Sequence, residues 1–197
     1  MELIPLIYIK NRKLYEEKDG KQVTLDEIIR QNEKNKKLYF LDIDGIDKNK
    51  PNLCTYQRIK PDYEIWVDAG PRVIGDVVDF VMAGATSVSI REKHFPIQEL
   101  PRIKEMTESK IYNVLDLQNE IQPNANFSLI SDVDGFVVFY DENLIEKDFK
   151  IGEFLKTLCN KFKVYAIDPS GKNTIFWKKH GSYGLIIDLG KINQVKG

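Results

Sequence analysis

The sequence contains no run approaching the roughly 20 apolar residues that cross a bilayer. Nor does a basic segment precede its first apolar stretch, Leu3-Ile4-Pro5-Leu6-Ile7. It therefore predicts neither a membrane helix nor a signal peptide. The only cysteines, Cys54 and Cys159, lie far apart and lack CxxC spacing. A disulfide framework is excluded, and two small buried thiols in a reducing, cytoplasmic compartment are expected. Strong charge of either sign is also missing: the net charge is -1. Nothing in the bulk composition calls for nucleic acid or an anionic membrane.

Several chemical signatures are absent as well. There is no GxGxxG, no GxxxxGK[ST], and no Ser or Cys in an elbow motif. No metal-ligand spacing is visible, so neither a metal nor a cofactor is expected. The two histidines have bland readings. His94 precedes Phe95-Pro96 as a surface residue, and His180 sits near a helix end where it caps carbonyls. Lys10 is the one early lysine near a strand end. A Schiff base there needs desolvation, and its polar neighbours argue against that.

What is present is a repeated alternation. With 197 residues, 42% hydrophobic and 30% charged, the chain is long enough for one domain with a substantial core. The organising stretch is Leu38 to Arg91: apolar runs end in polar residues, and a helical pattern lies between the second and third of them. The pattern predicts strands at 3–9, 38–42, 65–68, 87–90, 112–117, 136–140, 164–167 and 184–188. Asn11 to Gly20 is polar and ends in Asp-Gly, predicting a loop or short hairpin. Thr24 caps a helix, with Glu27 as its capping-box partner. Asp44-Gly45 is read as a turn, and 51–58 as a short helix. Val77, Val78, Val81 and Met82 form the apolar face of a helix over 74–83. Leu100, Ile103 and Met106 mark another over 97–108. Residues 124–131 are weak, while 144–162 is strongly helical. Ser170 caps a last helix from about 173 to 179.

Eight β-rich runs separated mostly by helices predict an α/β fold: a minimal (β/α)8 barrel with short loops, spanning 1–197 as a single domain. About 250 residues is typical for that architecture, so little is left for a lid. A doubly wound sheet is the runner-up. Two stretches echo each other: EIWVDAGPR at 64–72 matches VYAIDPSGK at 164–172, and AGATSVSIR at 83–91 matches HGSYGLIID at 180–188. They suggest two similar halves.

Barrel chemistry gathers at the carboxyl ends of the strands. Those ends offer Tyr8, then Asp42 and Asp44, then Asp68 with Gly70 and Arg72. Next come Arg91 with Glu92, Lys93 and His94, then Asp116 with Gln118, Tyr140 with Asp141, Asp168, and Asp188. Each of these aspartates has an equally good reading as a solvated strand end or helix cap, except Asp116, which follows Val114-Leu115 closely and is expected to point into the mouth. Arg72, Arg91 and Lys93 predict a cationic flank that holds an anion through bidentate bonds. Asp141, Asp168 and Asp188 predict an acidic flank.

At these residues the chain resembles the histidine-biosynthesis barrels: the phosphoribosylformimino aminoimidazole carboxamide ribotide isomerase HisA and its relative HisF. Ile4-Pro5-Leu6-Ile7-Tyr8 is similar to the family's Ile-Pro-Ala-Ile-Asp. Leu41-Asp42-Ile43-Asp44-Gly45 is similar to its Val-Asp-Leu-Asp-Gly, with Asn52 where an asparagine is common. Val67-Asp68-Ala69-Gly70-Pro71-Arg72 stands where the family has a Gly-Gly-Gly-Ile-Arg phosphate loop. Gly84-Ala85 begins the next strand, and Val114-Leu115-Asp116 is similar to Ala-Leu-Asp. The departures are substantial: Tyr8 replaces the first catalytic aspartate, and the later phosphate-binding glycines are replaced by Arg91-Glu92, Asp168-Pro169 and Asp188-Leu189.

The resemblance implies a divergent relative that acts on a small anionic metabolite by acid–base chemistry, in one-carbon cofactor biosynthesis rather than in the standard HisA isomerisation. Asp116 and Asp141 are its expected catalytic acids or bases. Asp42, Asp68, Gly70, Arg72, Arg91, Asp168 and Asp188 are its expected substrate-binding residues. The expected partner is a small-molecule ligand, anionic if the arginines hold it. No nucleic-acid or membrane partner is expected, and a homo-oligomer is left open. The alternative is a non-catalytic binding or assembly protein that has lost the ancestral site. Isomerisation of the two-phosphate substrate ranks third.

Overall fold

The computed structural model describes residues 1–33, 35–59, 61–117, 132–140 and 149–195. Gln118, the weak segment 124–131, Asp141 and residues 144–148 lie outside the described residues. Eight parallel strands close into a (β/α)8 barrel, the fold expected from the alternating pattern. In chain order they are β1 (Glu2–Lys10), β4 (Lys37–Asp42), β5 (Glu64–Asp68), β6 (Ala85–Ile90), β7 (Lys110–Asp116), β8 (Gly135–Phe139), β9 (Val164–Ile167) and β10 (Gly184–Asp188). Each pairs with its neighbour in sequence. The ring shuts where β1 runs parallel to β10, from Glu2 opposite Gly184 to Leu6 opposite Asp188.

Two further short strands, β2 (Lys13–Tyr15) and β3 (Gln22–Val23), continue antiparallel from the end of β1. The β1–β2 turn is two residues long, Asn11-Arg12, and both have positive φ (52° and 62°). That is the tight hairpin turn whose twist matches the strands it joins. Asp44 steadies it by accepting the Arg12 backbone N–H at 2.9 Å.

The helices follow local signals closely. Helix α1 (Leu25–Gln31) starts at Thr24, with the capping box to Glu27 formed in both directions. Asp44-Gly45 is not a turn: both lie inside α2 (Ile43–Lys48), whose first turn is capped by the Asp42 carboxylate. After α3 (Leu53–Gln57) comes α4 (Ile74–Met82), which buries Val77 and Phe80 and leaves Met82 78% exposed. The expected face was rotated, because Phe80 is the larger apolar side chain and takes the inward position. Likewise α5 (Leu100–Met106) buries Leu100 and Ile103 but not Met106. Helix α6 (Phe149–Lys161) and helix α7 (Thr174–Lys179) precede the last two strands, and α8 (Ile192–Val195) follows them. Asn173, not Ser170, occupies the cap position of α7. Cys54 is exposed on α3, contrary to the buried thiol expected, while Cys159 is partly buried. Burial raises the Cys159 thiol to about 11.

Strand alternation divides the core in two. Outward residues such as Ile7, Phe40, Val67 and Val88 pack under the helices. Inward residues fill the barrel. Its lower half is an aromatic plug: Trp66 lies 4.0 Å from Tyr112 and 4.9 Å from Tyr165, centroid to centroid, with Tyr39 beside it. Buried indole and phenol groups need partners. Trp66 donates to Ser89 Oγ at 2.9 Å, and Tyr39 donates to Asp68 at 2.9 Å.

The echo between 64–72 and 164–172 does not survive folding. It aligns Ile65 with Tyr165 and Trp66 with Ala166. Trp66 and Tyr165 both point into the barrel, whereas Ile65 and Ala166 point out under the helices. A one-residue offset inverts every side chain of a strand.

Candidate site at the carboxyl-end mouth

The strand ends surround a cavity of about 820 Å³. Tyr8, Leu41, Phe139 and Ile167 form its floor, one from each of β1, β4, β8 and β9. The hairpin after β1 forms a wall through Asn11, Tyr15 and Lys18. The polar 11–20 segment by itself predicts only a loop or short hairpin. The wall's position depends on the tight turn and its Asp44 contact, so no local motif signals it.

Two members of the expected cationic flank, Arg91 and Arg72, are engaged by the protein itself. Arg91 points into the barrel and grips Asp68 bidentately, Nε to Oδ1 at 3.0 Å and NH2 to Oδ2 at 2.6 Å. Its guanidinium also lies 4.8 Å from the Phe139 ring centroid, within cation–π range. Burial works to lower the Arg91 pKa, but Asp68 more than offsets it and raises it. Arg72 spends its guanidinium on the carbonyl oxygens of Gly45, Ile46 and Gly70 and on Asn49 Oδ1. It clips the end of α2 to the loop after β5.

That loop offers no anion cradle. Asp76 Oδ2 accepts the backbone N–H groups of Arg72 and Val73, at 2.7 and 3.2 Å. The start of α4 is thus capped by the protein's own carboxylate. Gly70 has φ +60° and approaches Ile46 closely, and a Cβ on Gly45 would sit 2.6 Å from the Ala69 carbonyl oxygen. These glycines allow two loops to pack together.

The aspartates sort by the direction their strand gives them. Asp42 is fully buried and points outward, accepting from Gly45 N, Asn52 N and Nδ2, and Tyr56. Burial raises its pKa, and those hydrogen bonds oppose the rise. Asp168 follows the outward-facing Ala166 by two residues and organises its loop through Gly171 N, Asn173 N and Ser170. Asp44 is pulled down to about 2: burial would raise it, but Lys48, the Arg12 and Asn11 N–H groups and Asn52 outweigh that. Asp116 is half-buried at the end of β7, opposite Phe139 across the β7–β8 ladder and within the field of Arg91.

Asp188 is different. It is 6% exposed and accepts the Tyr8 hydroxyl at 2.9 Å. Burial pushes its pKa up to about 7, assisted by Glu17 and Asp168 and opposed by Tyr8 and Lys191. Burial and the Asp188 charge likewise raise Tyr8 well above the usual phenol value. Tyr8 separates this carboxyl from the cavity.

Other groups are less engaged. His94 has a buried Nε2 without a hydrogen-bond partner, and burial with Arg72, Lys93 and Arg91 lowers its pKa. His180 binds the Phe176 carbonyl through Nδ1 at 2.9 Å, at the end of α7 as expected. Among the described residues, no three His, Cys, Asp or Glu side chains converge where they could hold a metal ion. Nor, among them, is any helix long and apolar enough to cross a membrane.

No family model matches the chain, and no curated protein matches it. Among solved structures it is similar to YagE, a prophage protein of the dihydrodipicolinic acid synthase family from E. coli K12, seen in complex with pyruvate. The TM-score is 0.61 at 12% identity, covering 98% of this chain and 72% of YagE. That likeness shows the fold. It also overturns the resemblance to HisA and HisF and the functions drawn from it, since the similar barrel belongs to another family. The quoted motifs have a local explanation: Asp42, Gly45, Gly70 and Arg72 hold neighbouring loops together, as shown above.

Proposed function

We propose that the carboxyl-end mouth binds a small organic molecule with a flat apolar body and an uncharged polar end. The observation carrying this reading is the cavity floor of Tyr8, Leu41, Phe139 and Ile167, beside arginines already committed to Asp68 and to backbone carbonyls. Pockets of this size bind chiefly by apolar burial, with a few polar groups fixing orientation. The Arg91 guanidinium and the N–H groups at the start of α4 are already occupied by Asp68 and Asp76, which disfavours a phosphorylated ligand.

The pyruvate held by YagE raises a second possibility, imine formation with a keto acid. That chemistry needs an amine able to lose its proton. Lys10 lines the mouth, but it is exposed and paired with Asp19 at 2.7 Å, which raises its pKa. The direction is opposite to the one required, so we favour non-covalent binding.

Calorimetry with indole as the probe tests the reading. Indole is expected to bind and ribose 5-phosphate is not. Phe139→Leu should weaken indole roughly three- to tenfold, by removing a flat surface worth about 1 kcal/mol. Tight ribose 5-phosphate binding with no indole binding would refute it.

A further inference from the structure

We propose that Tyr8 and Asp188 together set the hydrogen-bond polarity of the mouth. The site takes a carbonyl-bearing apolar ligand while the pair keeps its proton, and a donor-bearing one once that proton is lost. This rests on the ligand-binding reading of the mouth given above.

The argument begins with connectivity. Tyr8 lines the cavity, and Asp188 lies behind it at 2.9 Å from the phenol oxygen. A hydroxyl has one hydrogen to donate. When Asp188 is ionised it accepts that hydrogen, and Tyr8 presents only a lone pair to the cavity. When Asp188 is protonated it donates to the phenol oxygen instead. The Tyr8 hydrogen then turns toward the cavity, ready for a carbonyl oxygen. No proton needs to leave the phenol, whose raised pKa keeps it protonated in both states.

The surroundings place this exchange near neutrality. Facing Asp188 are Tyr8 from β1, Glu17 from the β2–β3 connection, Asp168 after β9 and Lys191 after β10. Lys191 pairs with Glu17 at 3.0 Å, which neutralises much of its pull on Asp188. Burial therefore dominates, and the carboxyl titrates at about 7. The polar end of a bound ligand would sense which state is present, because an unpaired buried donor or acceptor is costly. The rest of the floor, Leu41, Phe139 and Ile167, is blind to pH.

The experiment uses two uncharged probes, acetophenone, which only accepts, and indole, which only donates. Binding of each is measured by calorimetry from about pH 5.5 to about pH 8.5. Acetophenone should weaken about 30-fold across that range as the competent fraction falls, and indole should tighten. Asp188→Asn should hold acetophenone at its low-pH affinity throughout, since an amide donates to Tyr8 as the protonated acid does. Tyr8→Phe should make both profiles flat. Binding of both probes with flat or parallel profiles in the unaltered protein would overturn this inference and leave the mouth reading standing. Failure of acetophenone alone to bind at any pH would overturn this inference, and failure of both probes would overturn the mouth reading as well. Without any ligand, carbon NMR of the Asp188 carboxyl should titrate near pH 7, and a midpoint near 4 would also refute the proposal.

Discussion

Arg91 and Asp68 form a two-pronged ion pair inside the barrel mouth, with contacts of 3.0 and 2.6 Å, and the Asp68 side chain is wholly inaccessible to solvent. Tyr39 adds a further hydrogen bond to the same carboxylate. Arg91, expected from the sequence to hold an anion, has the Asp68 carboxylate as its partner.

Removing one partner should therefore be worse than removing both. Arg91→Met strands a buried carboxylate and is expected to cost about 3–5 kcal/mol in urea unfolding. The double replacement Arg91→Met with Asp68→Leu should recover a large part of that loss. A loss in the double variant equal to the sum of the losses in Arg91→Met and Asp68→Leu alone would show that the two side chains are not coupled.

Asp188 should make stability depend on pH. Its native pKa is about 7, above the unfolded value near 4. The native state therefore holds the proton more tightly, and the unfolded state binds fewer protons between those values. Stability is full below about pH 4 and declines as pH rises toward about 7. Asp188→Asn should raise the melting temperature at pH 8, by an amount equivalent to about 1–3 kcal/mol, and change it little at pH 4. Thermal melts at the two pH values check both halves.

Asp44 should act with the opposite sign. Its pKa is held at about 2, below the unfolded value, so its stabilisation is present above about pH 4 and fades as pH falls toward 2. Asp44→Ala also leaves the Arg12 N–H in the hairpin turn without its acceptor. A loss of about 1–3 kcal/mol at neutral pH is expected, shrinking in acid. Hydrogen exchange at Arg12 should accelerate in the variant.

Two glycines should respond oppositely to alanine. At Gly45 a Cβ meets the Ala69 carbonyl oxygen at 2.6 Å, so Gly45→Ala should destabilise by several kcal/mol or shift α2. At Gly152, in α6, a Cβ meets nothing within 4 Å. Gly152→Ala should stabilise by about 0.5–1 kcal/mol through helix propensity. Chemical denaturation of both variants tests the packing account of the motif around Gly45.

Treatment with pyruvate and borohydride should leave the protein's mass unchanged. Lys10, the mouth lysine tied to Asp19, favours its charged form. A stable adduct mapped to Lys10 or Lys18 would restore the imine reading.

The strands and most helices were legible because their signals are local. Thr24 and Glu27 are three residues apart, and their capping box forms as read. The strand over 164–167 has the bounds that its apolar run implies. Errors arose where neighbours in space decided the outcome. Asp44-Gly45 looks like a turn, but the Asp42 cap and the close approach to Ala69 make it a helix start. Met82 fits the helical period, yet Phe80 takes the buried position. The resemblance to the histidine-biosynthesis barrels rested on short motifs of this kind, whose residues hold one loop to the next.

The sequence by itself determined the eight alternating strands, the helices between them and the gathering of polar residues at the carboxyl ends. Periodicity and capping act over a few residues, so those features needed no knowledge of the rest of the chain. Only the tertiary structure decided what each polar residue does. Asp42 and Asp168 face outward to organise loops, while Asp68 and Asp188 face inward to Arg91 and Tyr8. Tyr8 and Asp188 stand 180 residues apart in sequence. They meet because closure sets β1 beside β10, and closure is a property of the whole ring of hydrogen-bonded strands.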